Sequence, residues 1–215
     1  MVAARQVDYS IELAARRLVY NGAAELRLRQ IIEILADQTP RLLDRAGFAG
    51  IHGGRCIPTA IVVRDVFRAL GLPVELIPVQ LVARNAAAAG QARVPQKPHV
   101  VDIGNPEDPP LWGGAWPRHL AVIVHGLLVD LTAGQASRPE KGIHMGAVCA
   151  PLLSPESVVY ASGERITSLQ HTDGARADWY AWPESTGYLR SPALKDARLQ
   201  KIARKLLRKL PVTKG

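Results

Sequence analysis

The 215-residue sequence predicts an α+β fold: N-terminal helices, a central helix carrying Cys56 packed on an antiparallel sheet or partial barrel, and a basic C-terminal helix. Three observations predict it. Behind Cys56, the residues Ala60, Ile61, Val63, Val66, Phe67 and Leu70 recur at helical spacing, and Gly71 closes the run. Residues 118–132 read as two apolar strands joined by a short turn at His125-Gly126. Near the end of the chain, Leu199, Ile202, Leu206 and Leu210 share one helical face, with Lys201, Arg204, Lys205, Arg208 and Lys209 largely on the other.

Composition sets the outer bounds. The length suits one sizeable domain, divided here into a helical part over residues 1–50, a core over 51–185 and the basic amphipathic helix over 191–212. A hydrophobic content of 47% is ordinary for a globular chain, which argues against disorder. No apolar run is long enough to cross a membrane as a helix, and residues 1–10 carry charges rather than a leader-like apolar stretch. Two cysteines without a leader predict a reduced, cytoplasmic protein rather than a disulfide scaffold. The formal net charge of +8 favours acidic partners without locating a site for them.

The elements follow in order. Ile11, Leu13, Ala14, Leu18 and Val19 form one apolar helical face, and Leu26, Ile31, Ile32 and Leu35 a second, with a break at Asn21-Gly22. Thr39-Pro40 starts a shorter segment. Residues 74–82 are β-rich and partly alternating, a strand. Residues 84–117 lose periodicity and read as a long loop, of the kind that is either disordered or a functional lid. Trp112 and Trp116 near its end pack on the core or form the rim of a substrate cleft. Val148, Leu152, Val158, Val159 and Ile166 indicate further short strands, and residues 179–182 form an aromatic patch.

The residues with chemical potential converge on Cys56. Gly53 and Gly54 place a tight turn before it, and Pro58 suits the first turn of the helix behind it. A thiol at a helix N-terminus feels the positive end of the helix dipole, which favours the thiolate. In a hairpin turning at residues 125 and 126, the partner of His119 falls near residue 132, and Asp130 is a diagonal neighbour on the same face. Cys56, His119 and Asp130 therefore form a nucleophile, base and orienter in that order. The N–H of Cys56 at the helix start is a natural oxyanion donor. Gly54, Arg55, Trp112 and Trp116 are the candidate substrate-binding residues.

The competing residues have weaker contexts. His52 precedes the glycine turn, His125 sits in the hairpin turn, and His99, His144 and His171 lie in loops. Cys149 sits among apolar residues and reads as structural. No short-spaced ligand pair supports a zinc site. Asp102, Glu107 and Asp108 lie in the irregular stretch with no assigned role.

At these residues the chain resembles the transglutaminase-like superfamily of papain-related folds, including its arylamine N-acetyltransferase branch. The segment from Gly53-Gly54-Arg55-Cys56 through Leu70-Gly71-Leu72-Pro73-Val74 is similar to the surroundings of the acetyltransferase nucleophile. The strand from His119-Leu120-Ala121 resembles that branch's H-L-x-hydrophobic strand, and Leu128-Val129-Asp130 its L-V-D strand. Asp130-Leu131-Thr132 instead resembles the D-x-T ending of transglutaminase-like proteins. The resemblance implies a thioacyl-enzyme formed on Cys56 from an amide- or thioester-bearing substrate, a small molecule or a protein, and resolved by an amine or by water. No cofactor is required under it; acetyl-CoA or another acyl-CoA would enter only as a substrate. Two other readings stay open: acetyl transfer proper, and a non-catalytic module that uses the basic C-terminal helix to bind an acidic partner.

Overall fold

The structure, a computed structural model, describes residues 22–48, 55–93, 95–108, 116–155 and 159–211. The helical face predicted over residues 11–19 lies outside them. α1 spans Gly22–Leu43 and is followed by a kinked turn, Asp44–Phe48, in which Gly47 leaves helical geometry at φ +83°. It buries Ile32, Leu35, Leu42 and Leu43. The predicted start of a new segment at Thr39-Pro40 is not observed, since α1 runs through both residues. Pro40 removes one helical hydrogen bond, but it lies close to the helix end, and the burial of Leu42 and Leu43 beyond it holds the last turn.

α2 spans Cys56–Ala69 and is buried over most of its length. Gly71, at φ +76°, ends it in a left-handed turn. Residues 70–73 then reverse the chain into β1, Val74–Arg84. The remaining strands are β2 (Val100–Ile103), β3 (His119–Val124), β4 (Leu127–Asp130), β5 (Val148–Pro151), β6 (Glu164–Gln170) and β7 (Arg176–Ala181). α3, Ala197–Leu207, ends the described fold.

All strand pairs are antiparallel, in the order β5-β4-β3-β1-β7-β6, with β2 also on β1. The outer strands approach each other: Leu153 N–H donates to the Ile166 carbonyl, and the Thr167 hydroxyl donates to the Pro151 carbonyl. The sheet is thus a nearly closed barrel. Its interior is filled by Val79, Leu81, Ala121, Leu128, Ile166 and Trp179. The alternate residues, such as Leu120, Val122 and Val129, pack against α1, α2 and α3. Helices on one outer face of an antiparallel barrel make this the α+β arrangement that the hydrophobic pattern predicts.

β1 organises the sheet. One of its edges pairs with β3 through residues 74–79 and then with β2 through residues 81–84; the other pairs with β7 through residues 79–84. Pro78 is tolerated within it. Its carbonyl accepts from Trp182 just past the end of β7, so its absent N–H faces the same side, where no ladder partner is needed.

Two boundaries differ from the sequence-based expectation. The stretch over residues 84–117 is not all loop, because residues 100–103 form β2. Asn85 makes this happen. Its buried amide donates to the Lys97 and Lys141 carbonyls and accepts from the N–H groups of Ala88 and His99, so it folds the following turn back onto β1. The C-terminal helix begins at Ala197 rather than near residue 191. Pro192–Lys195 forms a separate 3₁₀ turn, and Asp196 caps α3 by accepting from the Arg198 N–H.

Candidate active site

Cys56 is the first residue of α2, and the connection at residues 70–73 makes α2 run antiparallel to β1. From Cys56 to Ala69 the helix rises about 20 Å, and from Val74 to Val79 the strand rises about 17 Å. The start of α2 is therefore level with Val79. The register partner of Val79 in β3 is His119. Local geometry thus carries the thiol and the imidazole to the same end of the sheet. There β3 gives way to β2 along β1, and His119 stands at the parting.

The hairpin supplies the carboxylate. Val124 pairs with Leu127 across a two-residue turn, with His125 at φ 48° and Gly126 at φ 72°. Two positive φ values define the tight turn whose twist suits a hairpin. The register places Asp130 diagonally from His119 on the barrel-facing side, as the sequence predicts. His119 Nε2 and Asp130 Oδ2 are 2.7 Å apart. Cys56, His119 and Asp130 are all buried, His119 completely.

The carboxylate is saturated. Its Oδ2 also accepts from the indole N–H of Trp179 at 3.0 Å, and its Oδ1 accepts from the backbone N–H and the hydroxyl of Thr132, each at 3.0 Å. Burial pushes the Asp130 carboxyl up, but the charge and hydrogen bond of His119, the indole and the Thr132 N–H outweigh it and hold the group below the usual carboxylate range. Burial likewise pulls the His119 imidazole down. The charge and hydrogen bond of Asp130, with a further contribution from the Cys56 thiol, raise it instead to about 10.

With Nε2 committed to Asp130, the ring nitrogen left for Cys56 is Nδ1. It is buried and has no other hydrogen-bond partner. The Cys56 Sγ lies 3.8 Å from the Arg118 carbonyl, the residue next to His119. The first N–H groups of α2 have no carbonyl within the helix to bond, so those of Cys56 and Ile57 are positioned as donors beside the sulfur. The arrangement can hold a thiolate against an imidazolium, move one proton at Nδ1 and stabilise a negative oxygen.

Of the other predicted site residues, the structure describes Arg55 and Trp116. Arg55 precedes α2 and its guanidinium pairs with Asp44 at 2.8 Å. Trp116 stacks at a tilt on Tyr188, with ring centroids 5.4 Å apart, and covers Gly187. Gly54 and Trp112, like His52, lie outside the described residues. Cys149 lies in β5 within the helix-side core, and burial pushes its thiol up to about 12 against the opposing charge of Arg29. Asp102 accepts from the Gln80 amide and from the Asn105 amide. Among the described residues, no group of three or more histidine, cysteine, aspartate or glutamate side chains could hold a metal ion, and no helix is long and apolar enough to cross a membrane.

Sequence reasoning missed two contributors. Trp179 reads as part of an aromatic patch, and only its opposition to Leu81 in β1 shows that it faces the barrel interior. Gly104, in the stretch read as loop, packs against the backbone of His119 and Val79.

Fold and site together define an α+β protein with a nearly closed antiparallel barrel and a buried cysteine–histidine–aspartate set. No family model matches the chain, and no curated protein matches it. Among solved structures, "The crystal structure of genomics APC5867" superimposes with a TM-score of 0.51 at 14% identity, over 94% of this chain and 85% of that one. At that identity the likeness concerns the fold alone.

Proposed function

We propose that the protein is a cysteine-dependent acyl-transfer enzyme of transglutaminase-like type. The observation that carries this reading is the ordering of His119, with one ring nitrogen on Asp130 at 2.7 Å and the other left to Cys56. The Cys56 thiolate adds to the acyl carbon of an amide or thioester. The oxygen that becomes negative is met by N–H groups at the start of α2. His119 delivers its Nδ1 proton to the leaving amine or thiol as the carbon–nitrogen or carbon–sulfur bond breaks. Water or an amine then attacks the thioester, gives its proton to His119 and releases Cys56. Asp130 stays ionised throughout and fixes the ring. An acyl-CoA, including acetyl-CoA, fits this scheme as a substrate. Two free cysteines, both buried, accord with a reducing, cytoplasmic setting.

Iodoacetamide labelling followed by intact mass tests the reading. At pH 6, Cys56 of the wild type is expected to react at least about tenfold faster than Cys56 of His119→Ala, because the thiolate is held by the imidazolium. Cys149, whose thiol is pushed up to about 12, provides an unreactive internal reference. Equally slow labelling of both proteins would remove the nucleophile from the scheme.

A further inference from the structure

We propose that Trp179 is a positioning residue for the acyl-transfer site: its indole N–H holds the Asp130 carboxylate, and through it the His119 ring, in working orientation. The inference rests on the acyl-transfer reading and extends it into the barrel interior.

Three observations carry it. First, the indole and the imidazole share one oxygen: Trp179 Nε1 and His119 Nε2 lie 3.0 Å and 2.7 Å from Asp130 Oδ2. Second, the contact does not follow from strand pairing. In the sheet, β7 is separated from β4 by β1 and β3, so Trp179 reaches Asp130 across the interior. The remaining lining there is almost wholly aliphatic or alanine, and aliphatic side chains would fill it without a polar group. A buried indole N–H needs an acceptor, and the interior supplies one, on the residue that orients His119. Third, the count is complete. An ionised carboxylate offers about four acceptor positions, and Asp130 receives His119, Trp179 and two donors from Thr132.

A carboxylate with every acceptor position filled cannot turn about its bond to Cβ without breaking a hydrogen bond. The indole and the two Thr132 donors also stabilise its negative charge, which weakens its pull on the proton that His119 carries. The charged groups facing it are few. β3 presents His119, behind which stands Cys56 of α2, while β7 presents the neutral Trp179 and β5 pairs Val148 opposite it. Removing the indole donor leaves one site on Oδ2 open, so the carboxylate pulls harder on the His119 proton and is held from one side fewer, which lets it draw the ring out of line with Cys56.

The test compares wild type with Trp179→Phe and with a protein carrying β-(3-benzothienyl)alanine at position 179, which keeps the shape of tryptophan without its N–H. Two readings are taken at neutral to mildly acidic pH, after near-UV circular dichroism has verified the fold. One is the low-field proton NMR signal of His119 Nε2–H, identified by its loss in His119→Ala. The other is the rate of Cys56 alkylation at pH 6. In the folded analogue protein the His119 signal is expected to move further downfield, and alkylation to slow by roughly tenfold, the size of a lost hydrogen bond to a charged group. An unmoved signal, or a moved signal with unchanged alkylation, overturns the positioning role. If the wild type itself labels no faster than His119→Ala, the acyl-transfer reading fails instead, and the two failures are distinct.

Discussion

At the scale of single residues, the His119–Asp130 pair links the site to pH. His119 has a folded pKa raised from 6.5 to about 10, so the folded state keeps a proton that the unfolded state releases in between. Its stabilising contribution is full below about 6.5 and is lost as pH rises through about 10. Asp130 has its pKa lowered from 3.8, so its contribution is full above that value and is lost as pH falls through the folded one. The two shifts describe one interaction, and its stabilisation is greatest between about pH 4 and 6.5. Asp130→Asn leaves a buried imidazole whose remaining dominant influence is burial, which favours its neutral form. Urea unfolding at pH 6 should show a loss of about 3–5 kcal/mol, and the decline of stability between pH 7 and 10 should flatten. An unchanged decline would mean that His119 is not the linked group. This pair was legible in the sequence because a two-residue turn fixes every cross-strand neighbour. Trp179 was not, because it lies 49 residues from Asp130 and meets it only through barrel curvature, which periodicity does not encode.

Among the elements, the junction of β2 and β3 on β1 decides where the site can stand. Gly104 follows β2 at φ +80°, and a Cβ there would lie 2.6 Å from the His119 nitrogen and 2.7 Å from the Val79 carbonyl oxygen. Both neighbours are backbone and neither can rotate away. Gly104→Ala therefore combines a left-handed conformation that costs about 1–2 kcal/mol with a displacement of the start of β3. The expected result is a lower melting temperature together with slower Cys56 alkylation, because His119 moves relative to α2. A lower melting temperature with the alkylation rate intact would show that the strand start yields without carrying the imidazole. The helix behind Cys56, the hairpin and β1 all follow from apolar spacing and turn residues. β2 does not: it is four residues long, follows a proline-containing stretch, and exists because one buried amide, Asn85, ties that stretch to β1. A side chain that satisfies distant carbonyls leaves no local periodic trace.

For the whole molecule, the remaining question is how a net charge of +8 relates to the fold and the site. α3 separates the two roles of a basic amphipathic helix. Leu199, Ile202, Ala203 and Leu206, with Leu210 just past the helix end, are buried in the core shared with α1 and α2, while Lys201, Arg204, Lys205 and the capping residue Arg208 are exposed. The apolar face thus supports α2 from behind, and through α2 the position of Cys56. The charged face is left to solvent or to an acidic partner. Substitution can divide these roles. Changing Lys201, Arg204 and Arg208 together to glutamine removes three charges without touching the core, so the melting temperature and the Cys56 alkylation rate should stay as in the wild type, within about 0.5 kcal/mol for each surface change. Retention on a heparin column, which reads affinity for a polyanion, should fall and should need less salt for elution. Leu206→Ala should do the reverse: a cost of about 2–5 kcal/mol from the cavity, slower alkylation as α2 loses its backing, and retention nearly unchanged while the protein stays folded. If the triple glutamine variant instead slowed alkylation, the basic face would belong to the site and not only to the surface. If retention were unaffected, the excess charge that matters for polyanions would lie elsewhere, and α3 would serve the fold alone.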